Sequence, residues 1–285
     1  MNAYKKKKIY LSKKEGSKWG KPEVLPATIN MSEWQPSGSL SPDGNTIYFS
    51  SDKPGGFGGL DLYKSIRQKD GSWGEAVNLG STINTVNDED SPNIWIDGNT
   101  LFFSSLSNSM GGFDIFVSKL DGSGMWTKPE NMGVPFNSPG DDIFFKPNSS
   151  FSLGYFSSFR KDSYGDMDLY RYQFQPPDCK PYNNDEFTKL EISAPDTVST
   201  DSSFALDASN SHLKNQEIKT YEWNFSDGGY ARGVTQRHTF SAPGEYCVTA
   251  LFGIDFSKPR PSSASILPEL FYTSKKIIAI TPQAF

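Results

Sequence analysis

The hydrophobic positions of this chain fall in short runs of four to six residues, separated by clusters of Gly, Asp, Asn, Ser and Pro. Thr46 to Phe49 and Thr100 to Phe103 are β-branched and aromatic but for Leu101, the pattern of strands buried on both faces. Asp43-Gly44-Asn45 and Asp97-Gly98-Asn99 precede them. Each is a hairpin signal, because Gly accepts positive φ and Asp or Asn bonds its own backbone. Loops such as Gly55-Gly56-Phe57-Gly58-Gly59 and Gly111-Gly112 then turn the chain. No stretch predicts a long helix.

The pattern repeats. Trp19, Trp73 and Trp126 are separated by 54 and then 53 residues, as are Asn30, Asn84 and Asn137, and also Phe49, Phe103 and Phe156. Asp61, Asp114 and Asp168 keep nearly the same interval, inside Gly-Leu-Asp-Leu-Tyr, Gly-Phe-Asp-Ile-Phe and Asp-Met-Asp-Leu-Tyr. A four-stranded unit of this length is what one β-propeller blade requires. The third unit is degenerate, with Lys146-Pro147-Asn148-Ser149-Ser150 where Asp-Gly-Asn is expected, yet Gly154 to Ser158 and Asp168-Leu169-Tyr170 recover the pattern. Residues 8–13 match the last strand of a unit whose earlier strands are absent. Three to four blades do not close a ring, so the reading is either a fragment or a chain that self-associates to complete the propeller.

The blade motifs, Ser-Pro-Asp-Gly-Asn-Thr-Ile-Tyr-Phe-Ser-Ser at 41–51 and Gly-Gly-x-Asp-Ile/Leu-Phe/Tyr, resemble the TolB-type propeller repeat of Bacteroidetes envelope proteins over residues 8–174. In that family similar propellers are often joined to a sandwich module and an OmpA-like peptidoglycan-binding domain, and some belong to the type IX secretion and gliding apparatus. The resemblance therefore implies a periplasmic or outer-membrane location and envelope proteins or peptides as partners. No OmpA-like segment follows in this sequence, which puts the implied direct peptidoglycan anchoring in doubt.

Residues 175–187 are rich in Pro and polar residues and read as a linker. From 188 to 285 the chain alternates like strands. Tyr221-Glu222-Trp223-Asn224-Phe225-Ser226-Asp227-Gly228, followed by His238-Thr239-Phe240, Pro243-Gly244-Glu245-Tyr246 and Val248-Thr249, resembles the polycystic kidney disease (PKD) domain over about 188–281. The resemblance implies an immunoglobulin-like sandwich in which Trp223 fills the space between sheets, Asp227-Gly228 turns the chain and Pro243-Gly244 sets a corner. Ser226 stands where that family has Gly, and 252–271 is a long insertion. The expected fold is thus all-β: a partial propeller at 1–174 and a PKD-like sandwich at 188–285.

Composition narrows the chemistry. Aromatics are 14% of residues and Gly (25) and Pro (19) are abundant, as short strands and tight turns require. The net charge is -5 and the dense basic run is confined to Lys5–Lys8, so nucleic acid is not an expected partner. No run is long and apolar enough to span a bilayer, and the first residues lack the apolar core of a secretory signal. Read literally the chain is unexported, but a chain that starts in mid-repeat carries no information about its leader.

Residues 1–178 contain neither His nor Cys, so a His-dependent triad, a thiol nucleophile or a conventional zinc site cannot be built there. The expectation is a chain without catalytic or metal-binding residues. His212 and His238 both lie in the second domain, and His238 sits at a position that packing and turn bonding explain. Asp88-Glu89-Asp90 and Asp141-Asp142 read as solvated loop acids, and one Asp per blade at 61, 114 and 168 points to a turn-bonding duty. Calcium is the one ion that Asp-rich turns such as 88–90 and 162–168 would suit, though without EF-hand spacing. Arg67, Arg160 and Arg171 sit at unrelated repeat positions, which argues against an arginine cluster for acidic sugars. Two cysteines are compatible with one disulfide or with two unrelated thiols.

The reading is a non-catalytic envelope scaffold or protein-interaction module. The alternatives are a carbohydrate-active secreted protein with an accessory PKD module, or a glycan binder whose loop aromatics Phe57 and Phe113 stack on sugars.

Overall fold

A computed structural model describes residues 6–149, 151–161, 163–173, 178–184, 186, 188–214, 216–254 and 271–281. The described residues are all-β: sheets of propeller-blade type followed by an immunoglobulin-like sandwich. They group into two compact units, one of residues 1–146 with 155–171 and the other of 147–154 with 172–285.

In the first unit, Gly38–Leu40, Thr46–Ser51, Asp61–Ile66 and Val77–Asn78 form one antiparallel meander. Glu89–Ile94, Thr100–Ser105, Asp114–Lys119 and Glu130–Asn131 form the next, and Asp142–Pro147, Leu153–Ser158 and Asp168–Gln173 a third, of which Pro147, Leu153, Gly154, Tyr172 and Gln173 group with the second unit. Before them Tyr10–Leu11 pairs with Glu23–Val24, in the relation that the last two strands of both four-stranded meanders keep.

Period-two alternation explains why these sheets pack face to face. Ile47 and Phe49 point to one side, where they meet Leu25, Ile29 and Tyr63. Tyr48, between them, points to the other and joins Leu62, Ile83, Ile94, Leu101, Phe103 and Phe116. Phe102 in turn faces away from Leu101 and Phe103, and its ring lies 5.0 Å from that of Phe145. Each second strand is therefore apolar at consecutive positions because a neighbouring sheet covers each face.

The turn residues act as their chemistry requires. Gly44 and Gly98 have φ of 72° and 69°, and the Asp before each accepts backbone hydrogen bonds: Asn45 N–H at 3.0 Å for Asp43, Asn99 and Thr100 N–H at 2.9 and 2.8 Å for Asp97. A Cβ at Gly58 or Gly111 would collide with the carbonyl oxygen of Asn87 or Pro139, so both loops need glycine to pass the following segment. The glycine position of the third hairpin is filled by Phe151, at φ 60° and buried.

Within the second unit, Asn148 Oδ1 accepts from Ser152 and Leu153 N–H at 2.9 and 3.2 Å, the service that Asp97 performs in the preceding hairpin. The Phe151 ring packs 6.0 Å from Tyr172. Glu222, fully buried, accepts from Asn148 Nδ2 at 2.7 Å and Ser152 Oγ at 3.1 Å, with Arg232 Nε at 3.2 Å.

The sandwich of that unit sets a five-stranded sheet (Thr197–Ser199, Phe271–Ile280, Gly244–Ile254, Ile218–Phe225, Tyr230–Arg232) against the pair Phe204–Asp207 and Thr235–His238. Trp223 is fully buried in its core with Leu206, Phe225, Phe240, Val248 and Ile277, and its indole N–H donates to the Gly233 carbonyl at 2.7 Å. Gly228 has φ 91°, Asp227 accepts from Gly229 N–H at 3.0 Å, and Gly244, after Pro243, opens the longest strand. Cys179 and Cys247 form a disulfide with Cα atoms 5.6 Å apart, which resolves the two readings of the cysteines. The Pro-rich segment beside it is tied to the sandwich: Tyr182 N–H donates to Thr273 Oγ1 at 2.9 Å and Ser274 N–H to the Lys180 carbonyl at 3.2 Å. Most of the long insertion, 255–270, and Asp162 lie outside the described residues.

Candidate functional site

The recurring polar residues of the blades are brought together in three sets. The first is an asparagine clip. Asn30, Asn84 and Asn137 each accept from the N–H of one residue in the third strand (Ile9, Leu62, Ile115) at 2.7, 2.7 and 2.8 Å, and donate back to its carbonyl at 3.0, 3.0 and 2.9 Å. Asn84 and Asn137 also donate to Asn78 and Asn131 at 2.8 Å. The amide supplies the acceptor that each N–H otherwise lacks, and a second donor to carbonyls that also accept from Leu25, Leu79 and Met132 N–H at 3.0 Å.

The second set is the glycine-loop acid. Asp61 is buried and accepts from Phe57 and Gly58 N–H and from Asn78 Nδ2 at 2.6, 3.0 and 2.9 Å. Asp114 accepts from Met110 N–H and Asn131 Nδ2 at 2.8 and 2.7 Å, and Asp168 from Tyr164 N–H at 2.7 Å. All three hold the turn before the strand that bears them. Trp73 and Trp126 are half-buried against blade cores, Trp126 meeting Tyr48 edge-on at 6.0 Å, whereas Trp19 is 70% exposed on a short hairpin.

The third set corrects the expectation of solvated acids at two of the five positions in 88–90 and 141–142: Asp141 is exposed and Asp88 and Asp90 are half-buried, but Glu89 and Asp142 are withdrawn from solvent. Glu89 and Asp142 are fully buried at the first position of the first strand of their sheets, and Gln35 holds the corresponding place one repeat earlier. Glu89 accepts from Thr85 N–H and Oγ1 at 2.7 Å each and from Ser105 Oγ at 2.8 Å. Asp142 accepts from Ser138 N–H and Oγ at 2.6 and 2.9 Å and from Ser158 Oγ. Gln35 donates to Ser32 and Ser51. The acids turn inward because the Ser or Thr hydroxyls on either side supply donors that a strand start lacks. Asp88 and Asp141 also serve the loops, accepting from Leu60 and Phe113 N–H at 2.8 and 2.9 Å, and Asp90 accepts from Ser50 Oγ at 2.6 Å.

Burial, opposed by the hydrogen bonds from Thr85 and Ser105, pushes the Glu89 carboxyl above its ordinary range. The folded chain then holds this proton to higher pH than the unfolded chain does. The stabilisation is complete below the ordinary carboxylate pKa and is lost as pH rises through the raised value. Stability is expected to fall across that interval, with a shallower fall in Glu89→Gln. Urea titrations at a series of pH values check this, and equal slopes in both proteins would contradict it.

Next to Thr85 and Ser105, the donors to Glu89, the second blade opens into a cleft of about 280 Å³ lined by Ser81, Thr82, Thr85, Ser105, Ser107 and Asn108 together with Phe103, Phe116, Ile83, Lys128 and Pro129. Phe103 and Phe116 are stacked, with centroids 6.0 Å apart and planes at 26°. Hydroxyls, carbonyls and ring faces at the mouth, with a carboxylate behind them, suit a ligand that donates hydrogen bonds. The lining hydroxyls Thr85 Oγ1 and Ser105 Oγ are engaged with the buried Glu89 carboxyl, and among the described residues no group of three His, Cys, Asp or Glu side chains is placed to hold a metal.

In the second unit His238 stacks on Phe225, centroids 3.8 Å apart, and its Nε2 lies 2.8 Å from Asp227 Oδ2. His212 pairs through its backbone with Lys189. Of the loop aromatics, Phe57 is 48% exposed and Phe113 half-buried. Arg67 lies over Trp73 with its guanidinium 6.0 Å from the ring centroid.

A family model described as the PKD domain matches residues 189–252. No curated protein matches the chain. Among solved structures, similarity extends to a carbohydrate-binding module of the β-sandwich superfamily (20% identity, TM-score 0.28, 34% of this chain and 36% of that one). It extends also to puromycin hydrolase (12%, 0.35, 78% and 34%). The extracellular domain of a putative one-component system from B. thetaiotaomicron is a third (11%, 0.28, 88% and 31%). The chain spans about a third of the length of these structures. Its second unit carries a PKD domain, the family matched over residues 189–252.

Proposed function

We propose that this chain is a non-catalytic protein-interaction module of the cell envelope, in which the blades present a binding cleft and the PKD domain is an accessory scaffold. One observation carries the reading: the recurring blade acids at 61, 114, 89 and 142 are buried and engaged with donors of neighbouring turns and strands, so none of them stands as an exposed reacting group. The open cleft of the second blade offers recognition chemistry without a reacting group. The disulfide between Cys179 and Cys247 supports a location in an oxidising compartment, the periplasm or beyond. The TolB-type motifs and the PKD domain together support the periplasm or the outer membrane, and a place in a secretion or gliding assembly there.

The test is affinity capture from an envelope fraction with the purified chain, alongside a screen of peptidase and glycosidase substrates. A discrete partner and no turnover are expected. Turnover that is lost with Glu89→Gln or Asp142→Asn would overturn the reading. Glycan binding is the second reading, favoured by the half-exposed Phe57 in its glycine loop, and a glycan array distinguishes it from protein recognition.

A further inference from the structure

The repeat supplies its own template for what the second-blade cleft accepts. Superposing the units by sequence places Arg160 of the third blade at the position of Ser107 in the second, with Phe156 at Phe103, Tyr170 at Phe116, Ser158 at Ser105, Asp142 at Glu89, and Pro135 and Phe136 at Thr82 and Ile83. In the third blade the Arg160 guanidinium fills this space. It lies over the Phe156 and Tyr170 rings, 5.2 and 4.8 Å from their centroids. Nη2 donates to the carbonyls of Pro135 and Phe136 at 2.8 and 2.9 Å, and Nε donates to Ser158 Oγ at 2.8 Å. The Asp142 carboxylate is 3.6 Å away.

In the second blade the receiving groups are retained and the guanidinium is gone. Phe103 and Phe116 stack at 6.0 Å and 26°, against 5.7 Å and 22° for Phe156 and Tyr170. Thr82, Ile83 and Ser105 line the cleft, and among the described residues neither the Thr82 nor the Ile83 carbonyl accepts a hydrogen bond. Glu89 sits behind Thr85 and Ser105, and its described donors are all neutral. In the first blade the acid position is Gln35 and the arginine position is Lys53. The second blade therefore keeps the acid while lacking a cation at the position from which Arg160 reaches its own.

We propose that the second-blade cleft binds the guanidinium of an arginine side chain presented by a partner peptide or protein segment. Ring faces, two carbonyls, a hydroxyl and a carboxylate behind them match a flat cation with five N–H donors, whereas a lysine ammonium cannot address the same fork. Lys128, exposed at the side of the cleft, faces the aliphatic stem of the ligand and sets a preference for an acidic residue beside the arginine. The assignment deepens the interaction-module reading and rests on it only for the macromolecular source of the arginine.

The experiment uses the whole chain and the peptide acetyl-Gly-Asp-Arg-Gly-amide, with citrulline or lysine in place of arginine as controls, read by amide chemical-shift mapping and calorimetry. Saturable binding that perturbs residues 81–85 and 103–116, and that weakens at least tenfold with citrulline, is expected. Ser107→Arg should fill the cleft from within, as Arg160 does in the third blade, and abolish the binding. Equal binding of the citrulline peptide, undiminished binding by a folded Ser107→Arg protein, or no shift at these residues at millimolar peptide would overturn the assignment. If Ser107→Arg does not fold, the wild-type arms decide alone. Failure here with a partner still captured from the envelope would leave the interaction-module reading standing and remove only this cleft as its site.

Discussion

Replacing Asn84 with alanine is expected to destabilise the first unit by about 2 kcal/mol, because it strips the acceptor from the N–H of Leu62, which is fully buried, and one of two donors from its C=O, which keeps Leu79 N–H at 3.0 Å. Each orphaned buried group costs roughly 1–3 kcal/mol, and Asn78 loses a donor as well. Denaturant unfolding measures the effect. Asn45→Ala, in an exposed turn, is the comparison and should cost much less. A change at Asn84 within about 0.5 kcal/mol, the range of ordinary surface substitutions, would show that the clip does not hold the blade.

The second large effect belongs to the disulfide. Cys179 and Cys247 are 68 residues apart, so opening the bond returns to the unfolded chain a loop entropy worth about 4 kcal/mol on the chain-entropy model. It also releases the segment whose Lys180 and Tyr182 backbones bond the Phe271–Ile280 strand. Cys247→Ser is expected to lower the unfolding midpoint of the second unit while leaving that of the first unchanged. A reductant titration of the wild-type protein should reproduce the shift. Equal stability with and without reductant would contradict the account.

The fold was legible in the sequence where one residue type does one job at each repeat. Gly44 and Gly98 are glycines because the turn demands positive φ, and Asp61 and Asp114 are aspartates because a short side chain must reach back to the N–H groups of its own glycine loop. The consecutive apolar residues of 46–49 and 100–103 follow from coverage on both faces. The strands around Trp223 were legible for the same reason, since one large buried ring with a satisfied indole N–H fixes its neighbours.

What was hidden is chemistry shared among residue types. Gln35, Glu89 and Asp142 hold equivalent places but differ in length and charge, and their burial depends on hydroxyls three or four residues before and sixteen after. Aligning the units on Asn30, Asn84 and Asn137 brings these residues into one column, with Ser51, Ser105 and Ser158 in another. The same alignment places Arg160 against Ser107 and shows what a count of arginines conceals. Phe151 in a left-handed turn is unreadable locally, because its conformation is held by packing on Tyr172 and by Asn148, not by intrinsic preference. The disulfide is equally nonlocal, set by the approach of the 179–182 segment to the sandwich.

The central claim is that the blades' repeated polar residues build the scaffold and that recognition occurs at the second-blade cleft. Photocross-linking tests it most directly, with a benzophenone side chain at position 107 and, in a separate protein, at Asp70 in an exposed turn. The account predicts one discrete protein adduct from position 107 in an envelope fraction, competed by the arginine peptide, and none from position 70. The same adduct from both positions, or none from position 107 while position 70 labels a partner, would contradict it.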